Sequence, residues 1–113
     1  MNAPTHQQRE QVYRIDKFKV PAPARDEFMQ TVRIIHQLLK MQPGFVQDAI
    51  LEQTSGPGLF NVVTIAIWKN AAAVEAAKQT VATKRAELGI NPQELLNRLG
   101  IEADLATYTQ VGV

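Results

Sequence analysis

Apolar and polar residues recur along this chain with contrasting periods, and the change of period marks out its elements. From Val12 to Val20, the apolar Val12, Tyr13, Ile15, Phe18 and Val20 interleave with Arg14, Asp16, Lys17 and Lys19, a mixture that suits a partly wetted strand. Pro21 and Pro23 stop that strand, and Pro23 fits the first turn of a helix, where a missing N–H is no loss. From about Ala24 to Met41, Phe28, Val32, Ile35 and Leu39 recur at helical spacing, so a chain turning about 100° per residue gathers them into one stripe. Gln42-Pro43-Gly44 ends the helix, because proline cannot continue the ladder and glycine accepts a left-handed backbone. A second strand runs from Phe45 to about Gln53. The cluster Ser55-Gly56-Pro57-Gly58 then predicts a hairpin loop into a third strand, Leu59 to Trp68, paired antiparallel with the second.

Behind Trp68 the alanine-rich stretch from Asn70 to about Leu88 is helical by propensity. Asn91-Pro92-Gln93-Glu94 supplies an N-cap, a first-turn proline and a third-position glutamate for a further short helix that closes at Gly100. Ile101 to Val111 is the last strand, with Ile101, Ala103, Leu105, Thr107, Thr109 and Val111 on one side. The order is β-α-β-β-α-β, which in a small protein gives one antiparallel sheet with its helices on one face. The third strand is apolar on both parities: Leu59, Val63, Ile65 and Ile67 on one, Phe60, Val62, Ala66 and Trp68 on the other. A sheet apolar on both sides needs a second cover, and a second copy of the chain, forming a homodimer, is the most economical one.

Composition narrows the function classes. A chain of 113 residues forms one domain, expected over residues 11–113, and the polar stretch Met1 to Glu10 has no apolar run of a signal peptide and reads as a flexible tail. A net charge of +1 argues against nucleic acid or an anionic membrane as partner. Absence of cysteine excludes disulfides, thiolate catalysis and cysteine-built zinc sites, and fits a cytoplasmic location. No glycine-rich phosphate loop and no His/carboxylate cluster at metal spacing occurs, so no metal site is expected.

A few side chains carry candidate chemistry. His6 falls in the tail. His36 lies about 80° from the centre of the first helix's stripe, where it is either a surface residue or, given a partner in space, a base. Lys78 and Arg85 share the inward stripe of the second helix with Val74, Val81 and Leu88. They either snorkel to water or form a cationic wall that stabilises negative charge on oxygen. Tyr13 and Tyr108 are buried hydrogen-bonding groups or pocket donors. Asp16 is the carboxylate best suited as a base, or simply an exposed strand residue.

Pro43-Gly44-Phe45 opening the second strand, the third strand ending in Ile67-Trp68-Lys69-Asn70 and the alanine-rich helix behind it resemble the antibiotic biosynthesis monooxygenase family over about Val12 to Val111. The resemblance implies an α+β, ferredoxin-like protomer, a homodimeric α+β barrel, and a pocket between sheet and helices. In some members that pocket oxidises aromatic polyketides or quinols with molecular oxygen and no metal or flavin, so the resemblance implies for this chain a cofactor-independent monooxygenase of small electron-rich aromatics, of hydroquinone or polyphenol type. Other members degrade haem, and many have no established activity, so a non-catalytic dimeric ligand-binding or interaction domain is the alternative. Side chains alternate along a strand, so Phe60, Val62, Thr64 and Ala66 share the face of Trp68, and Asn61 points away unless a bulge intervenes. Where oxygenases of the family tend to place an asparagine, this chain has Thr64. Where members that degrade haem or oxidise quinols resemble one another in carrying a histidine in the second helix, this chain has none from Asn70 to Leu88, and the nearest match is Lys78. Asp16 stands where haem-degrading members resemble one another in having asparagine. The expected site is therefore Trp68, Thr64, Asp16 and His36 for chemistry, with Phe60, Lys78, Arg85 and Tyr108 around the substrate.

Overall fold

The computed structural model describes residues 10–112, so the expected tail and His6 lie outside the described residues apart from Glu10. The elements are β1 (Val12–Lys19), a 3-10 turn (Ala22–Ala24), α1 (Arg25–Lys40), β2 (Phe45–Glu52), β3 (Val62–Trp68), α2 (Ala71–Glu87), α3 (Pro92–Leu99) and β4 (Glu102–Thr109). The strands form one sheet in the order β2-β3-β1-β4, every pair antiparallel, which is the ferredoxin-like α+β arrangement. No helix among the described residues is long and apolar enough to cross a membrane.

Local chemistry explains the boundaries. Helix α1 carries Asp26 and Glu27 in its first turn and Lys40 in its last, each at the end where the helix dipole favours its charge. Asn70 caps α2 by accepting from the Ala73 N–H at 2.9 Å, and Asn91 caps α3 by accepting from the Glu94 N–H at 3.1 Å. Gly44 has φ of 84°, and a Cβ built on it would stand 2.4 Å from Cβ of Ala73. Its carbonyl also accepts from the Lys69 N–H at 2.8 Å. Gly44 thus lets the start of β2 lie directly against the first turn of α2, beside the Trp68 end of β3.

Strand β3 begins at Val62, three residues later than the hydrophobic run predicts. The cause is Asn61, whose side-chain oxygen accepts from the Val20 N–H at 2.8 Å while its amide donates to the Val20 carbonyl at 2.9 Å. Gln53 meanwhile donates to the carbonyls of Gly56 and Gly58, so the loop is held by side chains and Leu59 is left 74% exposed. From Val62 onward burial alternates strictly. Val62, Thr64, Ala66 and Trp68 are buried beneath the helices, and Val63, Ile65 and Ile67 are half-buried on the opposite, open face. Cross-strand partners Tyr13, Ile15, Ala49, Leu51, Ala106 and Tyr108 extend that open face, with Leu51 50% exposed.

The core beneath the helices is split in two. Phe18, Val20, Phe28, Met29, Val32, Val62 and Ile101 form one cluster, with the rings of Phe18 and Phe28 edge to face at 4.9 Å. Val12, Ala66, Trp68, Val74 and Ala77 form the other, where Phe45 meets Trp68 edge to face at 5.7 Å. Between the clusters, the inner face of the sheet carries Arg14, Asp16 and Thr64 in place of apolar residues. Two expectations need correction. Leu88 falls past the end of α2 and is 58% exposed, because the helix stops at Glu87. The inward side of β4 is largely exposed, Leu105 included, because β4 is an edge strand paired only with β1.

Candidate functional site

A cavity of about 220 Å³ opens where the two core clusters part, between the sheet and α1, and a wider cleft of about 460 Å³ adjoins it under α2. Arg14, Asp16, Ile35, Leu39, Ala66 and Arg85 line both, so they form the shared waist. His36, Thr64, Phe18, Phe28 and Thr31 lie on the smaller side; Trp68, Val74, Ala77, Lys78 and Val81 lie on the wider side. The walls are mostly apolar with a few convergent polar groups, the composition of a small-molecule site.

The polar groups are individually placed by the fold. Arg14 and Asp16 sit two residues apart on β1, hence on one face, and the Arg14 Nε–H donates to an Asp16 oxygen at 2.9 Å. His36 is 7% exposed on α1, and its Nδ1 lies 2.8 Å from Oδ2 of Asp48 on β2. Lys40, one turn further along α1, places Nζ 3.9 Å from the other Asp48 oxygen. Asp48 reaches this side because of a bulge between Phe45 and Gln47: Phe45 pairs with Trp68, yet Gln47 pairs with Ile67 and Asp48 with Ala66. The extra residue, Val46, reverses the parity of all that follows it. Without it Asp48 would point to the open face.

Of the two α2 cations singled out in the sequence, Arg85 is the one engaged with both sides of the cavity. Its Nε is the one buried side-chain polar atom without a partner among the described residues. Lys78 instead pairs with Glu75 at 3.3 Å at the exposed outer rim of the wider cleft. The charged pairs Arg25–Glu52 and Arg98–Glu27 lie at the surface, away from both cavities. Hydrogen bonding to these arginines draws the Glu27 and Glu52 carboxyls below their ordinary value and raises the guanidinium of each partner.

Of the residues singled out in the sequence, Trp68, Thr64, Asp16, His36, Lys78 and Arg85 line this composite space. Trp68 and Thr64 share a face as the strand period requires, but they serve opposite sides of the waist. Two other residues are elsewhere. Phe60 precedes β3 and lines neither cavity, since Asn61 diverts the chain there. Tyr108 pairs with Tyr13 on the open face, 42% exposed, because its parity is opposite to that of Leu105. Arg14 and Asp48 were not picked out by sequence reasoning. Arg14 shares its parity with Asp16, which could have found it; Asp48 was hidden by the bulge.

Residues 11–87 match the antibiotic biosynthesis monooxygenase family. A search of curated proteins finds no match. Among solved structures, the chain is similar to SnoaB, a cofactor-independent oxygenase from Streptomyces nogalater, with 23% identity, TM-score 0.63, and coverage of 92% of this chain and 96% of that one. It is also similar to a conserved protein from Methanosarcina mazei Go1, with 14% identity, TM-score 0.71, and coverage of 93% and 97%. A third likeness is a variant of MhuD holding two manganese protoporphyrin IX groups per active site, with 22% identity, TM-score 0.67, and coverage of 88% and 94%. At these identities the likeness establishes the fold. Haem held from α2 does not fit this chain: the residues that α2 turns to the cleft include Val74, Ala77, Lys78, Val81 and Arg85, none of them a usual axial ligand.

Proposed function

Since this chain belongs to the antibiotic biosynthesis monooxygenase family, we propose that it is a cofactor-independent monooxygenase of small electron-rich aromatics, of hydroquinone or polyphenol type, working as a homodimer. The observation that carries this reading is the waist of the cavity, where an unpartnered buried Arg85 Nε and the Arg14–Asp16 pair interrupt apolar walls. Such a site favours a flat aromatic that becomes anionic once bound.

The reaction balances with molecular oxygen alone. A phenolic proton leaves to a base, and the electron-rich phenolate carbon, ortho or para to the oxygen and bearing hydrogen, reduces oxygen and bonds to it. Proton return gives a hydroperoxide; loss of that carbon's hydrogen and of the outer hydroxyl as water leaves a quinone carbonyl. One oxygen atom ends in the product and the other in water. The protein supplies positioning, mostly apolar walls and a fixed positive charge. Arg85 faces developing negative charge without reorganising, and Trp68 offers an aromatic wall on the wider side.

The homodimer covers the open face. Val63, Ile65 and Ile67 with Ile15, Ala49 and Leu51 form a contiguous apolar surface that a second copy would bury. The test of function is oxygen uptake with a panel of hydroquinones and naphthols in chelator-treated buffer. Uptake above the buffer rate, with a quinone product that has gained one oxygen atom and no release of hydrogen peroxide, supports the monooxygenase; tight binding of the same compounds without uptake identifies a non-catalytic binding domain.

A further inference from the structure

We infer that His36, held by Asp48, is the base that takes the phenolic proton, and that Asp48 is its positioning residue, an assignment that rests on the reading above. A histidine becomes a directed base when one ring nitrogen is committed to a partner and the other is left as an acceptor. Here Nδ1 lies 2.8 Å from the Asp48 carboxylate, a group that only accepts when ionised. Nδ1 therefore carries the hydrogen of the neutral ring, and Nε2 is the acceptor. The ring is buried and belongs to the wall of the smaller cavity, so its orientation is held by packing as well as by the hydrogen bond.

The competing carboxylate, Asp16, is already engaged by the Arg14 guanidinium. The other charged groups on the wall of the same cavity are Arg14 and Asp16 from β1 and Arg85 from α2, and Lys40 from the histidine's own helix faces Asp48 at 3.9 Å. When a phenol gives its proton to Nε2, the imidazolium formed is stabilised by Asp48 and the phenolate by the cations at the waist. Proton and charge both stay within the site: the phenolic O–H bond breaks and a new N–H bond forms. The bulge at Val46 acquires a role on this account, since it brings Asp48 onto the histidine's side of the sheet.

The test uses para-nitrophenol, whose phenolate is coloured and which needs no oxygen to report, so failure of phenol oxygenation would refute the previous reading without touching this one. At a pH near the probe's own titration midpoint, the native protein should bind it with a larger phenolate fraction than the free probe shows in the same buffer. His36→Gln should abolish that excess. Asp48→Asn, which offers Nδ1 an amide donor and so favours the wrong tautomer, should lower the bound phenolate-to-phenol ratio about tenfold or more, and Asp48→Glu should restore part of it. Nitrogen-resolved NMR of the unmutated protein gives an independent check should a variant not fold. It should show His36 protonated at Nδ1 alone when free and at both nitrogens with probe bound. A phenolate excess that survives His36→Gln, its loss in Asp16→Asn alone, or a His36 ring unprotonated at Nδ1 in the free protein would overturn the assignment.

Discussion

Gly44 gives the sharpest test of how the site is framed. Replacing it with alanine imposes two separable penalties. The first is backbone: an L side chain at φ of 84° costs roughly 1–2 kcal/mol. The second is contact, because the new methyl would meet Cβ of Ala73 at 2.4 Å, an overlap that must be relieved by shifting β2 or α2 at about 1–3 kcal/mol. Gly56 separates them. Its φ is 98°, but a Cβ there meets nothing within 4 Å, so Gly56→Ala carries the backbone penalty without the contact. The gain from a less flexible unfolded chain is common to both and cancels in the comparison. Gly44→Ala should therefore be less stable than Gly56→Ala by about 1–3 kcal/mol, read by denaturant unfolding at fixed protein concentration so that association does not distort it. At about 4–8 °C per kcal/mol for a chain near this size, the melting points should separate by several degrees. Ala73→Gly in the Gly44→Ala background should recover most of the difference, less the roughly 0.5–1 kcal/mol that glycine costs inside a helix. Equal stabilities for Gly44→Ala and Gly56→Ala, or no recovery with Ala73→Gly, would refute the close approach of β2 and α2.

Further outcomes follow from the same geometry. Ile65→Lys, at the centre of the open face, should convert a dimer to a monomer in sedimentation velocity at micromolar concentration, whereas a parent protein that sediments as a monomer would remove the dimer altogether. Arg85→Gln should weaken binding of phenolates about tenfold while Lys78→Ala, already paired with Glu75 at the rim, changes it less than about twofold, as read by titration. Trp68→Phe, at a side chain only 3% exposed, should keep the fold at a cost of about 1–3 kcal/mol and reduce turnover. The Glu27 and Glu52 carboxyls are lowered in the folded state by Arg98 and Arg25. Their stabilising effect is therefore fully present above the ordinary value of 4.5 and is lost as pH falls through the folded-state values. Arg98→Met and the parent should accordingly converge in urea midpoint on acidification, and a gap that widens would contradict the pairing.

Much of this architecture was legible because a strand's period is fixed. The alternation along β3 puts Phe60, Val62, Thr64 and Ala66 on the face of Trp68 with no knowledge of their neighbours, and the structure buries Val62, Thr64, Ala66 and Trp68 together while Phe60 falls before the strand. The boundary at Leu59 was not legible, because it depends on Asn61 gripping Val20, a contact made across 41 residues. His36 was placed at the rim of an apolar stripe because a helical wheel measures only hydrophobicity; its burial follows from Asp48, which belongs to another element. Asp48 was hidden in turn because the pairing that reveals the bulge at Val46 leaves no mark on the apolar pattern of β2. Tyr108 illustrates the limit from the other side, since its aromatic character suggested a pocket while its parity placed it on the open face.

Insertion of one atom of molecular oxygen into a phenolic ring in this cavity, without a cofactor, is tested by turnover under isotopically heavy oxygen gas with a naphthol carrying an unsubstituted para carbon, in chelator-treated buffer. One heavy atom is expected in the naphthoquinone and the other in water, with oxygen consumed mole for mole with product and turnover lost in His36→Gln. Release of hydrogen peroxide with an unlabelled product, or no oxygen uptake from a protein that binds the naphthol, would contradict that insertion.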